Sequence, residues 1–146
     1  MEARMNLFQV APEAYTAMRG LENYITQSGL DRRLYELIKI RASQINGCAF
    51  CLNMHTRDAR KLGETEQRIY ALNAWRETNF FTTEERAALE LTEAVTLLAD
   101  THVPDEVYQH AAVVFDEAML AKIIMAIVVI NGWNRIMVTT RALPAD

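Results

Sequence analysis

The chain is short of positive charge. Its 15 lysines and arginines are outnumbered by 19 aspartates and glutamates, giving a net charge of −4 at pH 7 and an isoelectric point of about 5.4. The basic residues are scattered among acidic ones, so there is neither a basic footprint nor a stripe for nucleic acid. Long apolar runs are also missing. The longest, Ile123 to Ile130, falls far short of the ~20 residues that span a bilayer. Met1 to Val10 is interrupted by Glu2, Arg4 and Asn6 and offers no signal-peptide run. These absences predict a cytoplasmic protein that binds neither membrane nor nucleic acid. Two cysteines are too few for a disulfide framework. A chain of 146 residues, 51% of them apolar, needs none, since it can bury roughly 70% of its unfolded surface. The length suits one domain spanning residues 1–146; no repeat, linker or low-complexity tract divides it.

What is present is helix punctuation. Pro12 opens a first helix, with Tyr15, Met18, Leu21 and Ile25 at helical spacing until Ser28-Gly29. Asp31 is a good N-cap for a second, which carries Leu34, Leu37, Ile38 and Ile45 and stops at Asn46-Gly47. A third runs from about Cys48 to Leu62 before Gly63, and Thr65 caps a fourth carrying Ile69, Leu72 and Trp75. Thr82 and Glu85 have capping-box spacing for a fifth, reaching toward Leu98. Pro104 fits the first turn of a sixth, with Asp105 and Glu106 near its positive end. The last segment, about Asp116 to Val138, contains Ile123–Ile130, whose composition also suits a buried strand. No second strand candidate exists to pair with it, so the expectation is an all-α bundle of about six to seven helices. Apolar residues around a whole helix imply burial on most sides, within the subunit or between subunits.

Both cysteines fall in one short stretch, Cys48-Ala49-Phe50-Cys51-Leu52-Asn53-Met54-His55. On a helix, positions 48, 51 and 55 share a face. A free thiol, with a pKa near ~8.5, is mostly protonated at neutral pH, and the thiolate is its reactive form. A helix N-terminus at Cys48 and an imidazole one turn below Cys51 both favour that form. The second and third helices make an antiparallel hairpin turning at Asn46-Gly47. Glu36 lies eleven residues before Gly47 and His55 eight after it. At ~1.5 Å per residue the two differ by only about 4.5 Å in height along paired helices. Carboxylate, imidazole and thiol in series form a nucleophile–base–orienter arrangement.

The stretch from Glu36 to Thr56, ELIKIRASQINGCAFCLNMHT, resembles the core motif of the alkylhydroperoxidase D-like proteins of the carboxymuconolactone decarboxylase superfamily. The likeness continues through DARKLG at 58–63, AWRE at 74–77, EERAAL at 84–89 and NGWNR at 131–135, about two-thirds of the chain. The resemblance implies an all-helical fold assembling as trimers or hexamers, and thiol peroxidase chemistry on a small organic hydroperoxide. It implies that Cys51 is the peroxidatic thiolate, that Cys48 resolves its sulfenic acid to a Cys48–Cys51 disulfide, and that Glu36 and His55 relay the proton. An external dithiol, a lipoyl group or a thioredoxin-like protein, would restore the enzyme; no cofactor or metal is required. One departure stands out. Characterised peroxidases of the family carry a second histidine between the cysteines, where this chain has Phe50.

Other readings of the same residues lead elsewhere. Cys48, Cys51 and His55 could supply three ligands to zinc, but no fourth ligand lies near in sequence. Haem attachment needs a histidine directly after the second cysteine, and Leu52 stands there. Within the superfamily, lactone decarboxylation is the alternative enzymatic function, yet it has no use for a redox-active cysteine pair. A non-enzymatic redox sensor is the third. Gln44 and Asn46 are read as packing and capping residues. Asn131, Trp133, Asn134 and Arg135 form a polar patch read as structural, His102 and His110 as surface residues, and the scattered methionines as gap-fillers.

Overall fold

The structure, a computed structural model, describes residues 1–144. Among these, helices are present and strands are not. In order they are α1 (Leu7–Val10), α2 (Pro12–Gln27), α3 (Arg32–Asn46), α4 (Ala49–Lys61), α5 (Glu66–Ala71), α6 (Thr83–Thr96), α7 (Leu98–Thr101), α8 (Asp105–Val114) and α9 (Glu117–Thr140), with a 3-10 stretch, Leu72–Glu77, after α5. Three of the caps are ones the sequence predicts. Asp31 accepts from Leu34 N at 2.9 Å, Thr65 accepts from Arg68 N, and Thr82 and Glu85 form a reciprocal capping box. The single turns α1 and α7 are too short for periodicity to reveal. Pro104 takes the N-cap position of α8 rather than its first turn.

α3 is the organising helix because it is apolar on two sides. Leu34, Ile38 and Ala42 pack with Leu91 of α6 and with Ile123, Ile127 and Ile130 of α9. Leu37 and Ile40 face another cluster made by Ala59 of α4, Leu72, Trp75 and Leu89. Fully burying each such aliphatic side chain is worth about 1.5–3 kcal/mol, so α3 is fixed in rotation as well as position. That rotation sets the site, because Glu36 and Lys39 are carried on the same helix.

The run 123–130 lies inside α9. α9 is long and apolar enough to cross a membrane by length and composition, but half of its apolar window is buried, packed against α2, α3, α4, α6 and α8. This is the position of a core helix. Val128 and Val138 remain 46% and 47% exposed.

Candidate active site

The turn between α3 and α4 is built around Gly47. Its φ of +65° lies in the left-handed region, which glycine enters without the steric penalty a Cβ brings. This lets Cys48 N–H donate back to Ser43 O at 3.0 Å, closing α3 in a Schellman motif. The same residue opens α4, because Cys48 Sγ accepts from Cys51 N–H at 3.3 Å. Cys48 is therefore the N-cap of α4, and Cys51 sits in its first turn. The two are joined as a disulfide with a Cα–Cα distance of 5.3 Å, and each is only 1% exposed.

Across the hairpin, His55 Nδ1 lies 3.0 Å from Glu36 Oε2, with both residues buried. The other oxygen of Glu36 pairs with Lys39 Nζ at 2.7 Å. Burial pushes the Glu36 carboxyl up, but the His55 hydrogen bond and the Lys39 charge outweigh it and hold the group below its ordinary range. An ionised Glu36 can only accept, so Nδ1 of His55 carries a proton, which leaves Nε2 as the ring atom that exchanges protons with the cavity.

Behind this pair lies a second layer, most of which sequence spacing does not reveal. Lys39 is buried, sits 4.0 Å above the Tyr35 ring, and lies 3.8 Å from Glu22. Glu22 Oε2 also accepts from Tyr35 Oη at 3.0 Å and from Trp133 Nε1 at 3.3 Å. Burial first, and then the Glu22 carboxylate, push the Tyr35 phenol far above its ordinary range, so it remains a donor. A signal for Lys39 does exist in the sequence: a lysine between Ile38 and Ile40, three residues after Glu36, must share the carboxylate's side of the helix.

Cys51 and His55 line one cavity of about 260 Å³. Its apolar wall includes Phe8, Tyr15 and Trp133, whose rings touch with centroids 4.4 to 6.3 Å apart. Met54 and Met137 also line it, so two of the methionines read as gap-fillers border the site. Donor atoms of Glu36, His55 and Asp58 lie within 4.8 Å of one another, a spacing a cation could use, but the Lys39 ammonium already neutralises Glu36. The four residues expected from sequence are all carried by the α3–α4 hairpin, Cys48 and Cys51 at its turn and the Glu36–His55 pair further along it, and Phe50 stands between the cysteines. Asn46 and Asn134 have structural surroundings. Asn46 Nδ2 donates to Asn131 Oδ1 at 3.0 Å and Asn134 Oδ1 at 2.9 Å, and Asn134 Nδ2 donates to Ser43 Oγ at 3.0 Å. Trp133 does both jobs, packing in the core and facing the cavity.

An all-helical scaffold carrying a buried CxxC disulfide beside a carboxylate-linked imidazole defines a small class of proteins. The chain belongs to the carboxymuconolactone decarboxylase family, whose model matches residues 11–94, and within it is like the alkylhydroperoxidase AhpD. It is 51% identical over 136 residues to the Bacillus subtilis protein YdfG, of uncharacterised function, covering 93% of this chain and 92% of that one. A 64-residue segment is 38% identical to the alkyl hydroperoxide reductase AhpD of Hyphomonas neptunium, spanning 42% of this chain and 36% of the relative. The crystal structure of ATU0492 from Agrobacterium tumefaciens, a protein of unknown function named as a candidate AhpD of antioxidant defence, superposes with a TM-score of 0.96 at 43% identity over 99% of both chains.

Proposed function

We propose that the chain is a thiol peroxidase that reduces small organic hydroperoxides through Cys48 and Cys51. The observation that carries this reading is that Cys51 shares a cavity with an imidazole held by a buried, ionised carboxylate, while Cys48 is within disulfide reach. His55 Nε2 takes the proton of Cys51. The thiolate attacks the outer oxygen of the hydroperoxide, the O–O bond breaks, and the leaving alkoxide takes the proton back from His55 as the alcohol. Cys51 is then a sulfenic acid. Cys48 attacks its sulfur, water leaves, and the disulfide forms with the two electrons the peroxide has consumed. An external dithiol, a lipoyl group or a thioredoxin-like protein, returns them. Glu36 acts through His55 as a positioning residue.

A buried disulfide supports the redox reading over the lactone-decarboxylase branch, in which a cysteine pair has no task. The exposed Val128 and Val138 of α9 and the family likeness support a homo-oligomer, trimer or hexamer, working in the cytoplasm. The deciding experiment is peroxide consumption with a panel of dithiol donors, run beside Cys51→Ser. Turnover by the native protein and none by the variant supports the proposal; equal consumption by both removes it. A redox sensor would react once and stop.

A further inference from the structure

The two cysteines of the disulfide do not line the same space. Cys51 lines the cavity that holds His55. Cys48 does not; it lines a separate hollow of about 250 Å³ with Gly47, Met137, Arg141, Ala142 and Leu143. Phe50 and Met137 line both spaces and form their common wall. The second hollow is shaped by the end of α9. Arg141 takes a left-handed conformation, φ 54°, and Ala142 N–H donates back to Met137 O at 2.9 Å. This turn brings Ala142 into the cluster around Cys48 and Cys51.

We propose that these two spaces divide the catalytic cycle: peroxide meets Cys51 from the His55 side, and the reducing thiol enters the second hollow and attacks Cys48. The inference rests on the peroxidase reading above. The charges suit the division. In the first cavity Glu22 and Asp58 are balanced by Arg19 and Lys39, so it offers an incoming thiolate no net attraction and suits a neutral hydroperoxide. The second is lined by Arg141 and, among the described residues, by no carboxylate. Its size fits a slender aliphatic dithiol rather than the face of a folded protein.

The chemistry agrees with the geometry. A thiolate attacks Cys48 Sγ, forming a mixed disulfide there, and the S–S bond breaks with its electron pair going to Cys51. Thiol–disulfide exchange is faster when the departing sulfur is the more stable thiolate, and Cys51 departs as a thiolate into the cavity lined by His55, where it takes up the proton that the donor's second thiol gives up in the next step. The second thiol of the donor then attacks the donor's own sulfur, releasing Cys48 and a cyclic disulfide. Attack from the other side would instead expel Cys48 away from His55.

The test begins from the preformed disulfide and needs no peroxide, so it stands even if the peroxidase assay fails. The native protein is treated with the monothiol β-mercaptoethanol together with iodoacetamide. The mixed disulfide is expected on Cys48 and the carbamidomethyl group on Cys51, located by fragmentation mass spectrometry; the reverse pattern overturns the proposal. Reduction by dihydrolipoamide is then timed in Ala142→Trp, which fills the second hollow, and Met54→Trp, which fills the first. The expected result is slowing of at least about tenfold in the former and less than about twofold in the latter, because exchange depends on access to the attacked sulfur. Slowing only in Met54→Trp overturns the proposal. The native-protein measurement decides it if Ala142→Trp does not fold.

Discussion

Lys39 Nζ lies 2.7 Å from Glu36 Oε1, while His55 Nδ1 occupies the other carboxylate oxygen at 3.0 Å. Both oxygens of Glu36 are thereby committed, one to a fixed cation and one to the imidazole that faces the cavity. The carboxylate cannot rotate without breaking one of the two. Lys39 also prevents Glu36 from being an uncompensated buried charge, which desolvation would otherwise neutralise.

Removing that cation is expected to make the fold more sensitive to acid. Glu36 is held below its unfolded value, near ~4.3 for a glutamate, so its contribution to stability is present above that value and is lost as pH falls through the folded one. Lys39→Met raises the folded value and shrinks the contribution. The acid-unfolding midpoint, followed by circular dichroism, should move to higher pH than in the native protein. An unchanged midpoint would mean that Lys39 does not hold Glu36 ionised.

Asn134 ties the C-terminal end of α3 to α9 directly behind the cysteine turn. It is 1% exposed and its side chain links Asn46 and Ser43. Asn134→Leu leaves the Ser43 hydroxyl without this donor, and a buried polar group so orphaned costs about 1–3 kcal/mol. Urea unfolding should register a loss of that size, with the larger values expected because the network is shared.

Glu93 joins three elements. It accepts from Arg41 Nε of α3 at 2.8 Å, from Trp75 Nε1 of the 3-10 stretch at 2.9 Å and from Arg76. Burial raises its carboxyl, but the hydrogen bonds from Arg76, Trp75 and Arg41 hold it below its ordinary range. Glu93→Ala should cost about 2–3 kcal/mol in denaturant, toward the lower end of what breaking a buried pair costs because the site is partly solvated. The peroxide reaction of the folded variant should be unaltered, since Glu93 is not among the cavity-lining residues.

Much of this arrangement was readable from the chain before folding. The matching heights of Glu36 and His55 follow from helical rise and the Gly47 turn, while their facing one another depends on the rotation of α3, which its packing sets. The caps at Asp31, Thr65 and Thr82 are local hydrogen bonds and leave local signatures. Of the layer behind the pair only Lys39, three residues after Glu36, left a signal in the sequence. Trp133 is 111 residues from Glu22, and spacing carries no information about which faces meet over such separations. Phe8 belongs to a four-residue helix with no periodicity to detect. Met54 and Met137 look like any other gap-filling methionine until the cavity they line is formed. The cysteine pair was legible as a pair, but that its two members line different spaces depends on where α9 ends.

The order in which the thiols react is set by two opposing effects. Cys48 occupies the N-cap of α4 and its sulfur accepts an amide hydrogen bond, so the helix end favours the Cys48 thiolate. That preference is worth typically ~0.3–1 kcal/mol at exposed sites, less than one pKa unit. A positioned general base is worth typically ~10²–10⁴-fold in rate, and the cavity that holds His55 is lined by Cys51 and not by Cys48. The base outweighs the helix end, so Cys51 should react first. Cys48→Ser should therefore keep its initial reaction with peroxide and accumulate a sulfenic acid on Cys51 that dimedone traps. Cys51→Ser should lose that reaction. His55→Gln should slow the first oxidation and shift the pH profile of iodoacetamide alkylation of Cys51 toward alkaline values. Phe50 bounds the size of these effects, because an apolar ring lines the cavity at the position where characterised peroxidases of the family carry a second imidazole. If Cys51→Ser retained the first reaction and Cys48→Ser abolished it, the helix end would be the stronger influence and the roles of the two cysteines would be exchanged.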